Sequence, residues 1–215
     1  MSGALHHRGL CQPDGRYAPA ADEWYVEPAW VWRAAFRTIV PPAPVWDPCA
    51  GGGTVPDAAR ALGLPAVGTD LRDRGFPRVT GGVDLLADPD AAFATARRLC
   101  GGTAPGAVAT NPPYGGGRQA AAVIAAALDL VPVVYALVPL PYLASRGRAR
   151  LLWGPESRLS HVLVCSARPS MPPGELLHEG RIEARGGKED FVVLVFGARR
   201  PPPVTITNLM PEDAG

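Results

Sequence analysis

Hydrophobic positions along the chain fall into short runs of two alternating kinds. Pro44-Val45-Trp46-Asp47 is strand-like, Thr54 to Leu62 is helix-like, and Ala66-Val67-Gly68-Thr69-Asp70 is strand-like again. This is the β-α-β rhythm of a parallel sheet. Asp88-Pro89-Asp90 then supplies a cap residue, a first-turn proline and an acid that favours the helix dipole, which predicts a helix over Ala91 to Leu99. A strand follows at Ala107-Val108-Ala109-Thr110, and the alanine-rich stretch Arg118 to Leu130 has helical propensity. Val133 to Val138 is a continuous apolar run, the pattern of a strand covered on both faces. Arg146 to Trp153 reads as a short helix, and His161 to Cys165 and Phe191 to Phe196 as two further strands. With a weaker seventh strand around Arg78 to Val83, the pattern predicts an α/β chain with a mostly parallel seven-stranded sheet and helices on both faces.

Composition narrows the class. A chain of 215 residues accommodates one full domain, and 47% hydrophobic against 19% charged residues supports a sizeable core. The net charge of +1 gives no overall basic field, so any contact with nucleic acid must come from a local patch. Only Lys188 among the 21 basic residues is lysine, and there are 25 glycines and 25 prolines. That bias has the look of base composition, so Gly and Pro count as evidence only where their position carries a mechanism. Residues 1–21 and 201–215 read as mobile tails around a domain over residues 22–200. Cys11, Cys49, Cys100 and Cys165 are scattered, which fits a reducing compartment, and no apolar stretch is long enough for a signal peptide or a membrane span. A cytoplasmic protein is expected.

Two segments carry chemistry. Asp47-Pro48-Cys49-Ala50-Gly51-Gly52-Gly53-Thr54 lies between a predicted strand and a predicted helix, where glycines let a ligand approach the backbone without meeting a Cβ. Pro56 stands where a dinucleotide fingerprint would have its third glycine. Asp70 ends the next strand roughly 20 residues on, where a carboxylate can accept from ribose hydroxyls. The second segment, Asn111-Pro112-Pro113-Tyr114, follows the strand at Ala107 to Thr110 and falls on the same carboxyl edge of the sheet. Two consecutive prolines stiffen the backbone and remove two donors, leaving carbonyls to face the site. Each segment alone could be an ordinary turn, and Asp84 could equally be an exposed turn residue after Gly81-Gly82.

Together these residues resemble the S-adenosylmethionine-dependent amino-methyltransferases, which carry an Asx/Ser-Pro-Pro-aromatic signature after the fourth strand of a Rossmann-like class I fold. Asp22-Glu23-Trp24-Tyr25-Val26-Glu27-Pro28 is similar to the opening of small phage-type DNA adenine methyltransferases, with Glu27 where that family usually has Thr. The resemblance implies S-adenosyl-L-methionine as cofactor. It assigns Asp47, Pro48 and the Gly51 to Gly53 backbone, with Trp24, Tyr25 and Pro28, to the methionine part, Asp70 to the ribose and Asp84 to the adenine amine. Asn111, Pro112, Pro113 and Tyr114 become the catalytic segment. The Asn111 side-chain oxygen and the Pro112 carbonyl would accept from the target amine, and Tyr114 would stack on the base.

The acceptor implied first is adenine N6 in duplex or single-stranded DNA. RNA amines or a protein glutamine amide are alternatives within the same chemistry, and a non-catalytic cofactor-binding subunit is an alternative of another class. Only 46 residues precede Asp47, and those after Tyr114 are needed for the remaining strands. A separate recognition domain has no room, so a partner could supply target specificity. Arg146, Arg148, Arg150 and Arg158 form the densest basic stretch and would contact phosphates, or form a solvated face. Cys49 follows a proline, as in cytosine-C5 methyltransferases, but it sits in the glycine loop and reads as a small loop residue. His6, His7, His161 and His178 show no metal spacing, so no metal is expected.

Overall fold

In a computed structural model, which describes residues 23–184, 186–197 and 203–211, eight strands form one sheet. Its strands are β1 (Val45–Asp47), β2 (Ala66–Thr69), β3 (Val79–Thr80), β4 (Ala107–Thr110), β5 (Val133–Pro139), β6 (Leu159–Cys165), β7 (Phe191–Phe196) and β8 (Thr205–Leu209). They run in the order β3-β2-β1-β4-β5-β7-β6-β8. β7 is antiparallel to both β5 and β6, and every other pairing is parallel. The chain starts at β1, moves outward to β3 and returns to β4 on the other side of β1. Such a reversal opens a crevice beyond the carboxyl ends of the central strands.

Helices cover both faces because successive strand residues point opposite ways. Val45, Ala109, Tyr135 and Leu137 join one core cluster with α1 (Ala29–Thr38) and α2 (Thr54–Ala61). Their neighbours Trp46, Val108, Val134 and Ala136 join the other with α3 (Pro89–Leu99), α4 (Arg118–Leu130) and α5 (Ala149–Trp153). Trp46 is fully buried, and its Nε1 donates to Thr69 Oγ1 at 2.9 Å, so the indole is satisfied inside the sheet. Asp88 caps α3 as its sequence predicts, accepting from Ala91 N at 3.0 Å.

Three elements were not expected. α1 forms on Val31, Trp32, Ala35 and Phe36, a buried stripe at helical spacing. The short α6 (Gly174–His178) lies in the loop between β6 and β7. β8 corrects both the seven-strand count and the reading of 201–215 as a tail, since Thr205–Leu209 pairs in parallel with β6. Only Leu209 of that strand is buried, so backbone pairing forms it and little hydrophobic pattern announces it. The expected helix at Arg146 to Trp153 splits into a 3-10 turn, Arg146–Arg148, followed by α5. Residues 1–21, read as an N-terminal tail, lie outside the described residues. Among the described residues no helix is long and apolar enough to cross a membrane.

Candidate functional site

The crevice holds a cavity of about 370 Å³, a size typical of small-molecule sites. Pro48 and Gly51 line it from the loop after β1, Asp70 from the end of β2, Asp84 and Leu85 from the approach to α3, and Asn111 and Pro113 from the loop after β4. Trp24 and Tyr25, ahead of α1, close another side. The structure thus brings together most of the residues singled out from the sequence. Pro28, Asp47, Gly53 and Pro112 do not line it: Pro28 stands at the N-cap of α1, and Asp47, Gly53 and Pro112 are buried.

The glycine loop is tied to the acid beyond it. Asp70 is 7% exposed, and its Oδ2 accepts from Gly51 N at 2.8 Å while Oδ1 accepts from Arg72 N at 2.8 Å. Each carboxylate oxygen retains a lone pair for a ligand hydroxyl. Gly51 has φ +51°, and a Cβ there would meet the Trp24 indole, so only glycine lets the indole cover the loop. Asp84 lines the cavity, and its Oδ1 accepts from Leu86 N and Ala87 N at 2.9 and 3.0 Å, the hydrogen bonds of a turn.

Asn111 is held at both ends. Its Nδ2 donates to Glu27 Oε2 at 3.1 Å and to the Tyr25 carbonyl at 3.2 Å, while its Oδ1 accepts from the Tyr114 hydroxyl at 2.7 Å. Two acceptors on one end and a donor on the other dictate the amide's orientation. Burial and the Glu27 charge push the Tyr114 phenol well above its ordinary pKa, so it stays a donor. Tyr114 does not line the cavity, and its ring packs 6.4 Å from Phe191. After Tyr114, Gly115, Gly116 and Gly117 have φ of +49°, +62° and +87°, a run suited to glycine alone. The Gly115 amide donates to Glu23 Oε2 at 2.7 Å, which fastens the loop to the segment ahead of α1.

The cavity is bordered by buried acid. Glu27 and Asp47 are 7% and 2% exposed. Burial raises the pKa of Glu27, and burial together with the Glu27 charge raises that of Asp47 well above the usual carboxylate range. Glu27 is anchored by Trp32 Nε1, which donates to its Oε1 at 3.0 Å. Such a pair suits a ligand bearing positive charge. The Cys49 thiol is pushed up by burial and by Asp47, which makes it a poor nucleophile.

The basic stretch divides. Arg146 and Arg150 are exposed. Arg148 stacks 4.1 Å from the Tyr142 ring centre, donates to the Tyr142 carbonyl at 3.0 Å and abuts Gly117. Arg158 is half-buried, and its guanidinium is committed to backbone rather than open for a phosphate. Its guanidinium donates to the carbonyls of Gly197, Leu128 and Pro132, each at 2.6 Å, and so pins β7 and the end of α4. Sequence reasoning also passed over Glu23, Glu27 as an Asn111 partner, and Arg74, whose partners are remote in the chain or aromatic.

No family model matches the chain, and no curated protein matches it. Solved structures do resemble it. A type I restriction-modification methyltransferase subunit from Streptococcus thermophilus matches at TM-score 0.54 and 13% identity, over 86% of this chain and 47% of that one. The DrdV–DNA complex matches at TM-score 0.53 and 12% identity, over 87% of this chain and 28% of that one. A protein from Lactococcus lactis described as a candidate hemolysin matches at TM-score 0.53 and 12% identity, over 82% and 91%. The chain thus spans about half the length of the restriction-modification subunit and about a quarter of the DrdV chain. What is shared is the α/β architecture with a mostly parallel sheet, the class I methyltransferase fold that the sequence led us to expect, here with an eighth strand.

Proposed function

We propose that the chain is an S-adenosylmethionine-dependent N-methyltransferase acting on an exocyclic amine, with adenine N6 in DNA as the acceptor. One observation carries this reading: Asn111, its amide orientation fixed by Glu27, Tyr25 and Tyr114, lines the same cavity as Asp70 and the Gly51 loop. The residues suit the cofactor. Gly51 lines the cavity where the Trp24 indole packs on the loop, Asp70 keeps acceptor capacity for a ribose, and Glu27 in the wall favours a ligand with positive charge. When bound there, the cofactor supplies an electrophilic methyl group.

The protein's task is to prepare the acceptor. An aromatic amine is a weak nucleophile because its lone pair is delocalised into the ring. Asn111 Oδ1, which keeps one lone pair beyond the Tyr114 bond, and the Pro112 carbonyl accept from the two amine hydrogens and favour a pyramidal nitrogen. Pro113 lacks an N–H that could compete. Tyr114 fixes Asn111 through its hydroxyl, and because its ring packs toward Phe191 outside the cavity lining it positions that amide rather than stacking on the base. Arg146 and Arg150 supply phosphate contacts, and a duplex target is flipped out of its stack. Two structural neighbours, a restriction-modification methyltransferase subunit and a DNA complex, support DNA as the acceptor class.

Transfer of tritiated methyl groups to duplex DNA, single-stranded DNA, ribosomal RNA and release factor tests the reading. Label at adenine N6 is expected. Label only on RNA or protein moves the acceptor, and cofactor binding without label on any of them leaves a binding subunit.

A further inference from the structure

One cation in the cavity wall has not yet been given a task. Arg74 lies in the loop after β2, four residues beyond Asp70, and its side chain is 12% exposed. The guanidinium carbon is 4.3 Å from the centre of the Trp24 ring. Its Nε is buried without a hydrogen-bond partner. The Asp70 Oδ1 atom is 3.8 Å away and already accepts from the Arg72 amide, so the ion pair is loose. A guanidinium fork stacked on an indole and held off its neighbouring acid is oriented for a planar anion brought by a ligand.

The platform beneath it is fixed. The Trp24 indole is wedged between the backbones of Gly51 and Gly174, where a Cβ on either glycine would clash with the ring, and Phe76 meets it edge-on at 6.0 Å. Arg74 therefore stands over the glycine loop, whereas the buried acids Glu27 and Asp47 border the cavity toward Asn111. Arg74 thus offers a cation beside the glycine loop, and the amino-acid carboxylate is the anionic group that the proposed cofactor carries.

We infer that Arg74, braced on Trp24, recognises the α-carboxylate of the cofactor's amino-acid part. This rests on the S-adenosylmethionine reading above. It makes Arg74 a binding residue that discriminates the intact cofactor from analogues lacking that carboxylate.

Calorimetric titration with S-adenosylmethionine, S-adenosylhomocysteine and decarboxylated S-adenosylmethionine tests it. The wild-type protein should bind the decarboxylated compound about 10- to 100-fold more weakly than the parent, as expected for loss of a charge-assisted bidentate contact. Arg74→Met, which keeps an apolar stem over Trp24, should weaken the parent by a similar factor and the decarboxylated compound hardly at all. Arg74→Lys should recover part of the preference. Equal wild-type affinity for parent and decarboxylated compound overturns the inference without any variant, and so does an equal loss of both in Arg74→Met. Failure of the wild-type protein to bind any of the three overturns the cofactor reading itself, a result distinct from indiscriminate binding.

Discussion

Glu27 holds Asn111 from across 84 residues of chain: its Oε2 accepts from Asn111 Nδ2 at 3.1 Å, while its Oε1 accepts from Trp32 Nε1 at 3.0 Å. Both carboxylate oxygens therefore face donors, a requirement a glutamine cannot meet at both ends. Glu27→Gln should turn an amine toward either Trp32 or Asn111 and release the amide of Asn111. A fall in kcat of about 10- to 100-fold is expected from the lost alignment, read by single-turnover methyl transfer. Asn111→Asp should be worse, because two carboxylates then meet. Combining Glu27→Gln with Asn111→Asp places a donor opposite the new acid, so the double variant should recover part of the activity lost by Asn111→Asp. A double variant no better than that single variant would show that this contact does not position Asn111.

The same acids set a pH dependence. Burial raises the pKa of Glu27, and burial with the Glu27 charge raises that of Asp47 further. Above about pH 4 the unfolded chain has shed these protons, while the folded protein keeps them until its raised values are passed. The folded state thus binds more protons over that window, and its stability falls as pH climbs through it. Asp47→Asn should flatten the decline, measured as the thermal midpoint of the ligand-free protein against pH. A cationic ligand favours the ionised forms, so its affinity should rise over the same window. Parallel curves for wild type and variant would show that Asp47 does not carry the dependence.

Arginines of one sequence cluster should separate into two phenotypes. Arg158→Ala leaves the carbonyls of Gly197, Leu128 and Pro132 without their donor. A loss of about 2–3 kcal/mol in chemical denaturation is expected, with the salt dependence of DNA binding unchanged. Arg146→Ala and Arg150→Ala remove exposed side chains. They should leave stability within about 0.5 kcal/mol, and each should reduce the slope of log affinity against log salt by about 1. A reduced slope in Arg158→Ala, with stability intact, would reverse this assignment.

Much of the fold was legible because burial on both faces leaves a strong signature. β4, β7 and α4 occupy the spans their residues predict, since Val192 to Phe196 and the alanines of Arg118–Leu130 admit few other readings. α1 was legible in principle: Val31, Trp32, Ala35 and Phe36 share one helical face. β3, with two residues, gave only the weak signal around Arg78 to Val83, and β8 buries a single side chain, so alternation does not register there. In the site, Gly51, Asp70 and Asn111 could be found because loops at strand ends constrain residue type. Glu27 and Arg74 could not, because their roles depend on a contact 84 residues away and on an indole face.

β8 has a consequence for handling the protein. Among the described residues it pairs on one flank only, with β6, and Ile206 on it is 72% exposed. An open strand flank bearing an aliphatic side chain is a template for self-association. Ile206→Lys should raise the concentration at which light scattering detects aggregates, while the melting temperature stays put. The solubility limit would then reside at the margin remote from the central strands, adjustable without disturbing the cavity.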